Sequence, residues 1–496
     1  MRFTRFMRVL SIMGRAAFYQ LTGNRQKLSE CLYEGFKSLG GIYIKFLQLM
    51  MLRSDIFEPW HSVEHLRIFE DVATEPLDIE SLLEAELGAE RRQIRLESTT
   101  PFTGGSFGQV YHAKLADGTA IIVKALRPSL VKYLSFDLWL IGRAVKFLIM
   151  IKPDAMIDLR SVYEYFRETT YGETNYLHEA AFGMTLYERY KDHLQLVIPK
   201  TYQEYSTKQI LVQDYVGGVS ASNLLELGRQ GKDINKFVRD KIGSDLNQQM
   251  EMLGFELLYA VFSGYDNQGD PHPGNVKILA DNKVGLIDFG IVCPPPADRL
   301  TALDLFKEHQ KIYAGNFDIR SFSATLMRFY AADLVAAINS LDAVGENGKH
   351  RAGVIEEISS SAERTFSSRK NRATIEQLID RGRFTAVFGK IVNQNNRFGL
   401  RLKNDSPNFL RAVQMFIILA EGFQCKLAIM PNVFERVITQ VEAEQDFADN
   451  IEQNPDINRA LEIVAAWLDR VSSKDPILFN RLCKHIKPPP GVAANV

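Results

Sequence analysis

The sequence has few cysteines and no excess of one charge. Its four cysteines, Cys31, Cys293, Cys425 and Cys483, form no CxxC pair. This spacing argues against a zinc site and against a disulfide framework, and it favours a reducing compartment. The 59 Lys and Arg residues nearly balance the 60 Asp and Glu residues. Because the chain has no global positive field, we expect no nucleic-acid partner.

Long apolar runs are also absent. The most apolar stretch, residues 138–151, contains Arg143 and Lys146. It is also shorter than the roughly 18 residues that a membrane-spanning helix needs. The sequence therefore predicts no transmembrane helix.

The first 25 residues contain five arginines and no acidic residue. Apolar residues recur there at helical spacing, at Phe3, Phe6, Met7, Leu10, Met13 and Ala17. The pattern predicts a basic amphipathic helix, and three roles stay open for it: an anchor to anionic lipid, an organelle transit peptide, or a helix docked on the protein itself. The expected location is the cytoplasm or the inner face of a membrane, and organelle targeting stays open.

The length and the order of patterns indicate more than one lobe. A chain of 496 residues exceeds the size of one hydrophobic core. Its 46% apolar and 24% charged residues are typical of a folded globular protein. A helical pattern precedes Ile94, β-rich segments follow it, and the chain is mostly helical after Gly217-Gly218. This order predicts an α+β protein.

A glycine-rich turn precedes two predicted strands, residues 108–115 and 119–126, which Asp117-Gly118 joins as a hairpin. Glycines let backbone N–H groups approach an anionic phosphate closely. The candidate nucleotide contacts in and beside this turn are Thr103, Gly104, Gly105, Ser106, Phe107, Gly108 and Val110. A plain hairpin turn without a ligand is the alternative, so the residues around the turn decide between the two.

Lys124 lies on the second predicted strand and would hold a cation beneath the glycine-rich turn. A phosphate clamp of this kind needs a carboxylate that orients the lysine. Glu179, in the predicted helical region 158–190, is the candidate for that carboxylate. We therefore predict that Lys124 and Glu179 are catalytic residues.

The strongest signal is the string GDPHPGN at residues 269–275, followed by GLIDFG at 285–290. Two short predicted strands, 275–279 and 283–287, separate these loops and turn at Asp281-Asn282. The hairpin brings the chain back on itself. The polar residues of both loops are therefore expected at one place.

These loops contain the residue types that phosphoryl transfer requires. The reaction depends on charge stabilisation and positioning, with an acid near the attacking group and oxygen ligands on magnesium. We assign Asp270 to the catalytic position and Asn275 and Asp288 to Mg²⁺. His272 is predicted to fix the loop as a hydrogen-bond donor.

In this order the motifs resemble the protein-kinase-like superfamily and, more narrowly, the UbiB family of atypical kinases, also called the AarF or ADCK group. The resemblance runs from about residue 35 to 440 and implies a bilobal fold with a small β-rich N-lobe and a helical C-lobe. The predicted segments are a basic amphipathic helix at 1–25, a helical extension at 26–93, an N-lobe at 94–216, a C-lobe at 217–440 and a helical tail at 441–496.

The resemblance also implies further nucleotide-site residues. The family's Lys-x-Gly-Gln motif corresponds to Lys45 and Gln48, with Leu47 in place of the glycine. Its Glu-x-Asp element corresponds to Glu173 and Asn175, where an amide replaces the second acid. The predicted strand 209–216 is similar to the hinge that binds adenine through its backbone, and Asp214 and Val216 are the candidate contacts there.

The implied function is an ATP-dependent kinase or ATPase with ATP and Mg²⁺, supporting isoprenoid quinone (ubiquinone) biosynthesis at a membrane surface. Implied partners are nucleotide, anionic lipid or a quinone precursor, and quinone-biosynthesis proteins. Relatives have an alanine-rich loop where this chain has Gly104-Gly105, so we expect it to bind ATP more readily than they do. Two alternatives stay open: a small-molecule phosphotransferase of the aminoglycoside or choline kinase type, and a nucleotide-regulated lipid-binding scaffold without turnover.

Overall fold

A computed structural model describes residues 2–22, 24–51, 74–151, 159–296, 299–330, 332–344, 349–366, 399, 406–444 and 455–486. By its internal contacts the chain divides into two compact units. The first unit comprises Met1–Leu253, Asn267–Cys293 and Gln414–Cys425, and the second comprises Gly254–Asp266, Pro294–Val413 and Lys426–Val496. The segment limits expected from the sequence stay predictions.

Three helices begin the first unit: α1 (Arg2–Leu21), α2 (Arg25–Leu39) and α3 (Ile42–Met51). The turn between α2 and α3 needs glycine, because Gly40 and Gly41 have φ values of 66° and 54°. Helix α1 buries Val9, Ile12 and Ala16 against the protein. Of the three roles left open for the basic helix, the docked arrangement is therefore the one that the structure contains.

A short helix and an antiparallel sheet follow. Helix α4 spans Ile79–Leu87, and the strands are β1 (Ile94–Leu96), β2 (Thr103–Gly104), β3 (Gly108–Leu115), β4 (Ala120–Leu126) and β6 (Ile210–Asp214). The sheet order is β1-β3-β4-β6, with β2 also paired to β3. The predicted hairpin is confirmed, and the predicted strand 209–216 is shorter in the structure.

The two faces of this sheet differ. Residues of alternate positions, including Tyr111, Val123 and Val212, are fully buried with Ile79 and Leu83 of α4. The opposite face carries the half-buried side chains of Val110, His112, Ile122 and Lys124. Because side chains alternate along a strand, one face forms core and the other carries Lys124.

Three helices continue the first unit: α5 (Pro128–Ile151), α6 (Leu159–Glu173) and α7 (Tyr176–Tyr190). The predicted helical region 158–190 is thus two helices, separated at Thr174 and Asn175. Tyr176 and Ala180 of α7 pack with Phe107, Leu126 and Leu211 of the sheet region. This packing brings Glu179, on the same helix, to the sheet.

The second sheet carries the loops at the predicted site. Its strands are β5 (Leu196–Val197), β7 (Val219–Ser220), β9 (Val276–Ile278) and β10 (Val284–Leu286), in the order β5-β10-β9-β7. Strands β8 (Asn267–Gln268) and β11 (Val292–Cys293) form a separate pair. The predicted hairpin is confirmed, and its turn residues Asp281 and Asn282 have φ values of 57° and 55°, which Asn and Asp tolerate best.

Helices α8 (Ala221–Arg229), α9 (Ile234–Phe237) and α10 (Leu246–Tyr259) lie between β7 and β8 in sequence. The later helices are α11 (Arg299–Tyr313), α12 (Ile319–Tyr330), α13 (Ala332–Val344), α14 (Lys349–Phe366), α15 (Ser406–Gly422), α16 (Lys426–Ala443), α17 (Ile457–Lys474) and α18 (Pro476–Leu482). Phe306, Phe322 and Trp467 are buried in the second unit. Across the described part of the chain, no helix is both long and apolar enough to cross a membrane.

Candidate active site

Lys124 joins three elements of the first unit. Its Nζ lies 2.8 Å from Glu179 Oε1 on α7 and 2.8 Å from Asp288 Oδ2 in the loop after β10. It also lies 5.1 Å from the centroid of the Tyr176 ring. The structure thus brings together the three residues that the sequence predicts at one site.

The charges of the three groups shift one another's pKa values, and Glu179 is the most deeply buried of them. Burial, together with the charge of Asp288, raises the pKa of Glu179 to about 7. Burial also raises the pKa of Asp288, but the charge of Lys124, its hydrogen bond and the Gly290 N–H together lower it, so that the net shift is downward. Burial lowers the pKa of Lys124, and the carboxylates of Asp288 and Glu179 overcome this effect and raise it. Lys124 and Asp288 therefore stay ionised near neutral pH, and Glu179 titrates.

Backbone hydrogen bonds fix the loop of Asp270. The Gly269 N–H donates to the Ile291 carbonyl at 2.9 Å, and the Asp270 N–H donates to Gln268 Oε1 at 3.1 Å. The Asn275 side-chain amide donates to the Asp270 carbonyl at 3.0 Å. Asp270 and Asn275 are both buried, and their relative position is set by this bond.

The segment of Asp288 is held just as closely. Gln213 and Gln268 donate their side-chain N–H groups to the carbonyls of Ile287 and Asp288, at 2.9 Å and 3.2 Å. The Ile287 N–H donates to the Asn275 carbonyl at 3.1 Å. These bonds connect the two predicted loops, so that Asn275 and Asp288 belong to one site.

His272 fixes its loop in a different way from the one predicted. Its Nδ1 accepts a hydrogen bond from the Gly274 N–H at 3.0 Å. The expectation that this ring acts as the donor is wrong for Nδ1, because the first turn after Pro273 offers a free N–H and needs an acceptor. The loop-fixing role itself is confirmed.

Lys45 of α3 enters the same site. Its Nζ lies 2.8 Å from Glu173 Oε2 and 3.8 Å from Asp270 Oδ2. The Phe107 ring of the glycine-rich turn lies 5.9 Å from it. A Cβ at Gly290 would lie within 3.6 Å of both Glu173 and Glu179, so the two lysine clusters adjoin. The side chain of Gln48 lies outside the described residues.

Asn175, where the family has an acid, caps a helix. Its side-chain oxygen accepts a hydrogen bond from the Leu177 N–H at 3.3 Å, at the start of α7. Asparagine is a favoured N-cap because its carbonyl satisfies a free N–H of the first turn. The amide therefore helps to begin the helix that carries Glu179.

The glycine-rich turn is compact. Thr103 and Gly104 pair with Val110 and Gln109, and the Gly105 N–H donates to the Gly108 carbonyl at 2.9 Å. A Cβ at Gly108 would lie 2.3 Å from the Tyr176 hydroxyl, so only glycine fits there. The last glycine of the turn therefore lies against the Tyr176 hydroxyl and the side chain of Lys124.

The predicted hinge residues lie at the end of β6. Asp214 accepts a hydrogen bond from the Tyr202 hydroxyl at 2.8 Å. A Cβ at Gly285 would lie 2.8 Å from Val216 Cγ1, so Val216 packs on β10. Both side chains therefore contact other parts of the first unit, and the Asp214 N–H donates to the Lys200 carbonyl at 2.9 Å. The contact of this strand to an adenine base stays a prediction.

Sequence reasoning missed four residues that build the site: Arg127, Tyr176, Gln213 and Gln268. Each is almost completely buried. Arg127 directly follows the apolar strand β4, and Gln213 lies within the apolar strand β6. Charged residues and glutamine are rarely buried at such positions, so this pattern could have indicated a buried role. Their partners, however, are distant in sequence, so the pattern alone does not assign them.

The comparisons with known proteins concern the family of the chain. Residues 71–311 match the family model of the ABC1 atypical kinase-like domain. The Arabidopsis thaliana protein ACTIVITY OF BC1 COMPLEX KINASE 7, chloroplastic, is 29% identical over 310 residues, covering 61% of this chain and 43% of that protein. An uncharacterised aarF domain-containing protein kinase of the same plant, also chloroplastic, is 29% identical over 259 residues, covering 51% of this chain and 34% of that protein.

The matched region spans less than half the length of these two relatives. Among solved structures, the complex of Rv3197 with erythromycin from Mycobacterium tuberculosis is 23% identical, with a TM-score of 0.40, and covers 64% of this chain and 81% of that chain. The family match and the mixed architecture with small sheets confirm the predicted kinase-like α+β fold. Residues 71–311 are therefore an ABC1 atypical kinase-like domain, and the predicted resemblance to the UbiB (AarF/ADCK) family is confirmed.

Proposed function

We propose that this chain is an enzyme that uses Mg-ATP, a kinase or ATPase of the UbiB type. The observation that carries the proposal is the position of Lys124, whose Nζ lies 2.8 Å from both Glu179 and Asp288. A lysine held in this way binds phosphate oxygens, and the buried carboxylate of Glu179 orients it. The glycine-rich turn above it supplies backbone N–H groups for the same phosphates.

The donor set fits a magnesium ion. Asn275 uses its side-chain N–H to hold the Asp270 carbonyl, which leaves its side-chain oxygen for a metal. Asp288 supplies a carboxylate that stays ionised. Mg²⁺ binds through one or two such protein oxygens and completes its shell with water and phosphate, so it needs no larger cluster of protein ligands. In the described part of the chain, no group of three or more His, Cys, Asp or Glu side chains is placed to hold a metal ion. A bound ion would neutralise charge on the phosphates.

Asp270 receives the role of the general base in this proposal. Its side chain is buried beside Lys45, and its backbone is fixed by Gln268 and Asn275. A base held at a fixed position can accept a proton from a hydroxyl or water that attacks the terminal phosphate. The identity of the acceptor rests on residues outside these motifs.

Nucleotide hydrolysis by the purified chain tests the proposal. We expect ATP hydrolysis that needs magnesium, and we expect Asp270→Asn to reduce it by about 100-fold or more while nucleotide binding changes little. Binding is measured by calorimetry and turnover by phosphate release. Failure of the wild-type chain to bind Mg-ATP or Mg-ADP would refute the proposal.

We further propose that the enzyme works at an anionic membrane surface in support of isoprenoid quinone biosynthesis. The support is helix α1, whose outward side chains include the exposed Met7, Leu10 and Phe18, with Arg8 and Arg15 beside them. Apolar and basic side chains on one surface bind anionic lipid. Vesicles of phosphatidylglycerol should sediment the wild-type chain, and the double variant Phe18→Ser with Leu10→Ser should bind them less. If the wild-type chain and the double variant sediment equally, the membrane role is wrong.

A nucleotide-regulated scaffold without turnover is the second candidate. Lys45 Nζ lies 3.8 Å from Asp270 Oδ2 and 2.8 Å from Glu173, so a cation of the chain itself takes up space beside the proposed base. If the wild-type chain binds Mg-nucleotide but hydrolyses it no faster than Asp270→Asn, with and without vesicles, the scaffold is the better description.

A further inference from the structure

A buried arginine lies behind the glycine-rich turn. Arg127 directly follows β4 and is only 2% exposed. Its Nε donates a hydrogen bond to the Gly105 carbonyl at 2.8 Å, and its backbone N–H donates to the Phe107 carbonyl at 2.9 Å. One residue thus holds two carbonyl groups of the turn.

The bond to Gly105 also sets the direction of the next N–H group. The Gly105 carbonyl and the Ser106 N–H belong to one planar peptide, and the structure has no cis peptide bond among the residues that it describes. In a trans peptide these two groups point in opposite directions. By fixing the carbonyl, Arg127 turns the Ser106 N–H to the other side of the turn, away from the guanidinium.

The guanidinium has a carboxylate partner in the segment before α4. Arg127 Nη1 lies 3.5 Å from Glu75 Oε1. The Glu75 carboxylate also accepts hydrogen bonds from the backbone N–H and the hydroxyl of Ser129, the former at 3.0 Å. The Gln109 side chain donates to the Glu75 carbonyl at 2.9 Å and accepts from its N–H. Glu75 is therefore fixed to β3 and to the first turn of α5.

We propose that Arg127 is a positioning residue that orients the glycine-rich turn before a nucleotide binds, and that Glu75 holds Arg127 in place. The proposal rests on the nucleotide binding proposed above and names the chain's own residues that prepare the turn for it. A guanidinium presents its N–H groups as a rigid fork and bonds a carbonyl and a carboxylate at once. A lysine at this position has one charged centre and cannot reach both partners in the same geometry. A turn that is already oriented loses less entropy on binding phosphate.

Arg127→Lys tests the proposal, because it keeps the charge and removes the fork. Arg91→Lys is the matched control: Arg91 also donates to a carbonyl, that of Ile94, and pairs with a carboxylate, that of Glu80, in the same unit but away from the turn. Amide hydrogen exchange of residues 104–108 is measured without ligand, and the Kd for Mg-ATP and Mg-ADP by calorimetry.

For Arg127→Lys we expect amide exchange in residues 104–108 to accelerate about tenfold and the Kd for Mg-nucleotide to rise about tenfold. Changes of this size correspond to the loss of roughly one charge-assisted hydrogen bond. Arg91→Lys should leave both within about twofold. Should Arg127→Lys fail to fold, Glu75→Gln replaces it, with the same signs and a smaller change.

The outcomes separate this inference from the proposed function. If the wild-type chain binds nucleotide and Arg127→Lys matches Arg91→Lys in both measurements, the positioning role is wrong. Faster exchange across the whole unit, rather than in residues 104–108, would also overturn it, because that result indicates general destabilisation. If the wild-type chain binds no nucleotide, the proposed function is wrong. If amide exchange of residues 104–108 is also unchanged in Arg127→Lys, the positioning of the turn by Arg127 is wrong as well.

Discussion

Two lysines from distant parts of the chain reach adjoining carboxylates, and their surroundings differ. Lys124 lies on a strand and binds Glu179 and Asp288, both at 2.8 Å. Lys45 lies on a helix of the N-terminal extension and binds Glu173 at 2.8 Å, with Asp270 at 3.8 Å. The first lysine contacts groups that would hold phosphate and metal. The second contacts the proposed base.

The difference shows how charge is divided in the site. Lys124 sits between the buried Glu179 and the partly exposed Asp288, so its removal would leave two negative charges facing each other without their shared cation. Lys45 pairs closely with Glu173 and lies farther from Asp270. We therefore expect its removal to change the access to Asp270 more than the stability of the fold. Under the proposed function, Lys124 would prepare the site and Lys45 would limit access to it.

Removing Lys124 should give the largest effect. We expect Lys124→Met to lower the free energy of unfolding by about 4 kcal/mol, because Glu179 and Asp288 lose their shared cation. Binding of Mg-nucleotide should become undetectable by calorimetry. Urea denaturation of the ligand-free chain measures the stability change. Lys114→Met is the control, since Lys114 on the same sheet pairs with Glu97 at an exposed position and should change stability by less than about 1 kcal/mol.

Removing Lys45 should separate stability from access. Lys45→Met should lower the free energy of unfolding by about 3 kcal/mol, less than Lys124→Met. Because Asp270 loses a neighbouring cation, it becomes the stronger base, and ATP hydrolysis should rise about threefold or more. The double variant Lys45→Met with Asp270→Asn provides the control and should hydrolyse ATP no faster than Asp270→Asn alone. A fall in turnover in Lys45→Met alone would mean that both lysines prepare the site, and the division between them would be lost.

The pH dependence of stability sharpens the same comparison on the Lys124 side. The pKa of Glu179 is raised from 4.5 to about 7, so between these values the folded state binds a proton that the unfolded state releases. The free energy of unfolding should therefore fall, by about 2 kcal/mol, as pH rises from 4.5 to 7. Glu179→Gln should remove this part of the slope. Denaturation of ligand-free protein in EDTA at several pH values measures it, and equal slopes in the two proteins would contradict the assignment.

How far the sequence predicts this site depends on how local each signal is. The hairpin that carries Lys124 and the hairpin before Asp288 were predicted from strand patterns and turn residues, and the structure has both. Glu179 was predicted from the need for a partner, and Lys45 from family resemblance alone. Lys124 is placed by the sheet register, and Asp288 directly follows a paired strand. Glu179 and Lys45 lie on helices α7 and α3, which reach the site through core packing.

Other features depend on contacts that no local pattern contains. The sequence pattern does not predict helix α5 (Pro128–Ile151), because apolar residues follow one another closely in this segment and give a weak helical period. In the structure Trp139 is about half exposed, whereas its neighbours Leu138 and Leu140 are buried. Arg127 was missed because its partner Glu75 lies before the sheet in sequence. Such residues become visible only when the fold brings them together.

The smallest expected effect concerns Asn175, beside Glu173 on the Lys45 side. If this residue serves as the cap of α7, Asn175→Ala should lower the free energy of unfolding by about 1 kcal/mol, and Asn175→Asp should change it by less than about 0.5 kcal/mol, since both Asn and Asp accept the Leu177 N–H. Asp78→Ala removes the N-cap of α4, which is not part of the site. Its change in the free energy of unfolding shows how much a cap alone contributes. A large increase in nucleotide affinity in Asn175→Asp would instead indicate that the amide weakens a metal or lysine contact, and the Lys45 side would then take part in binding as well as in access.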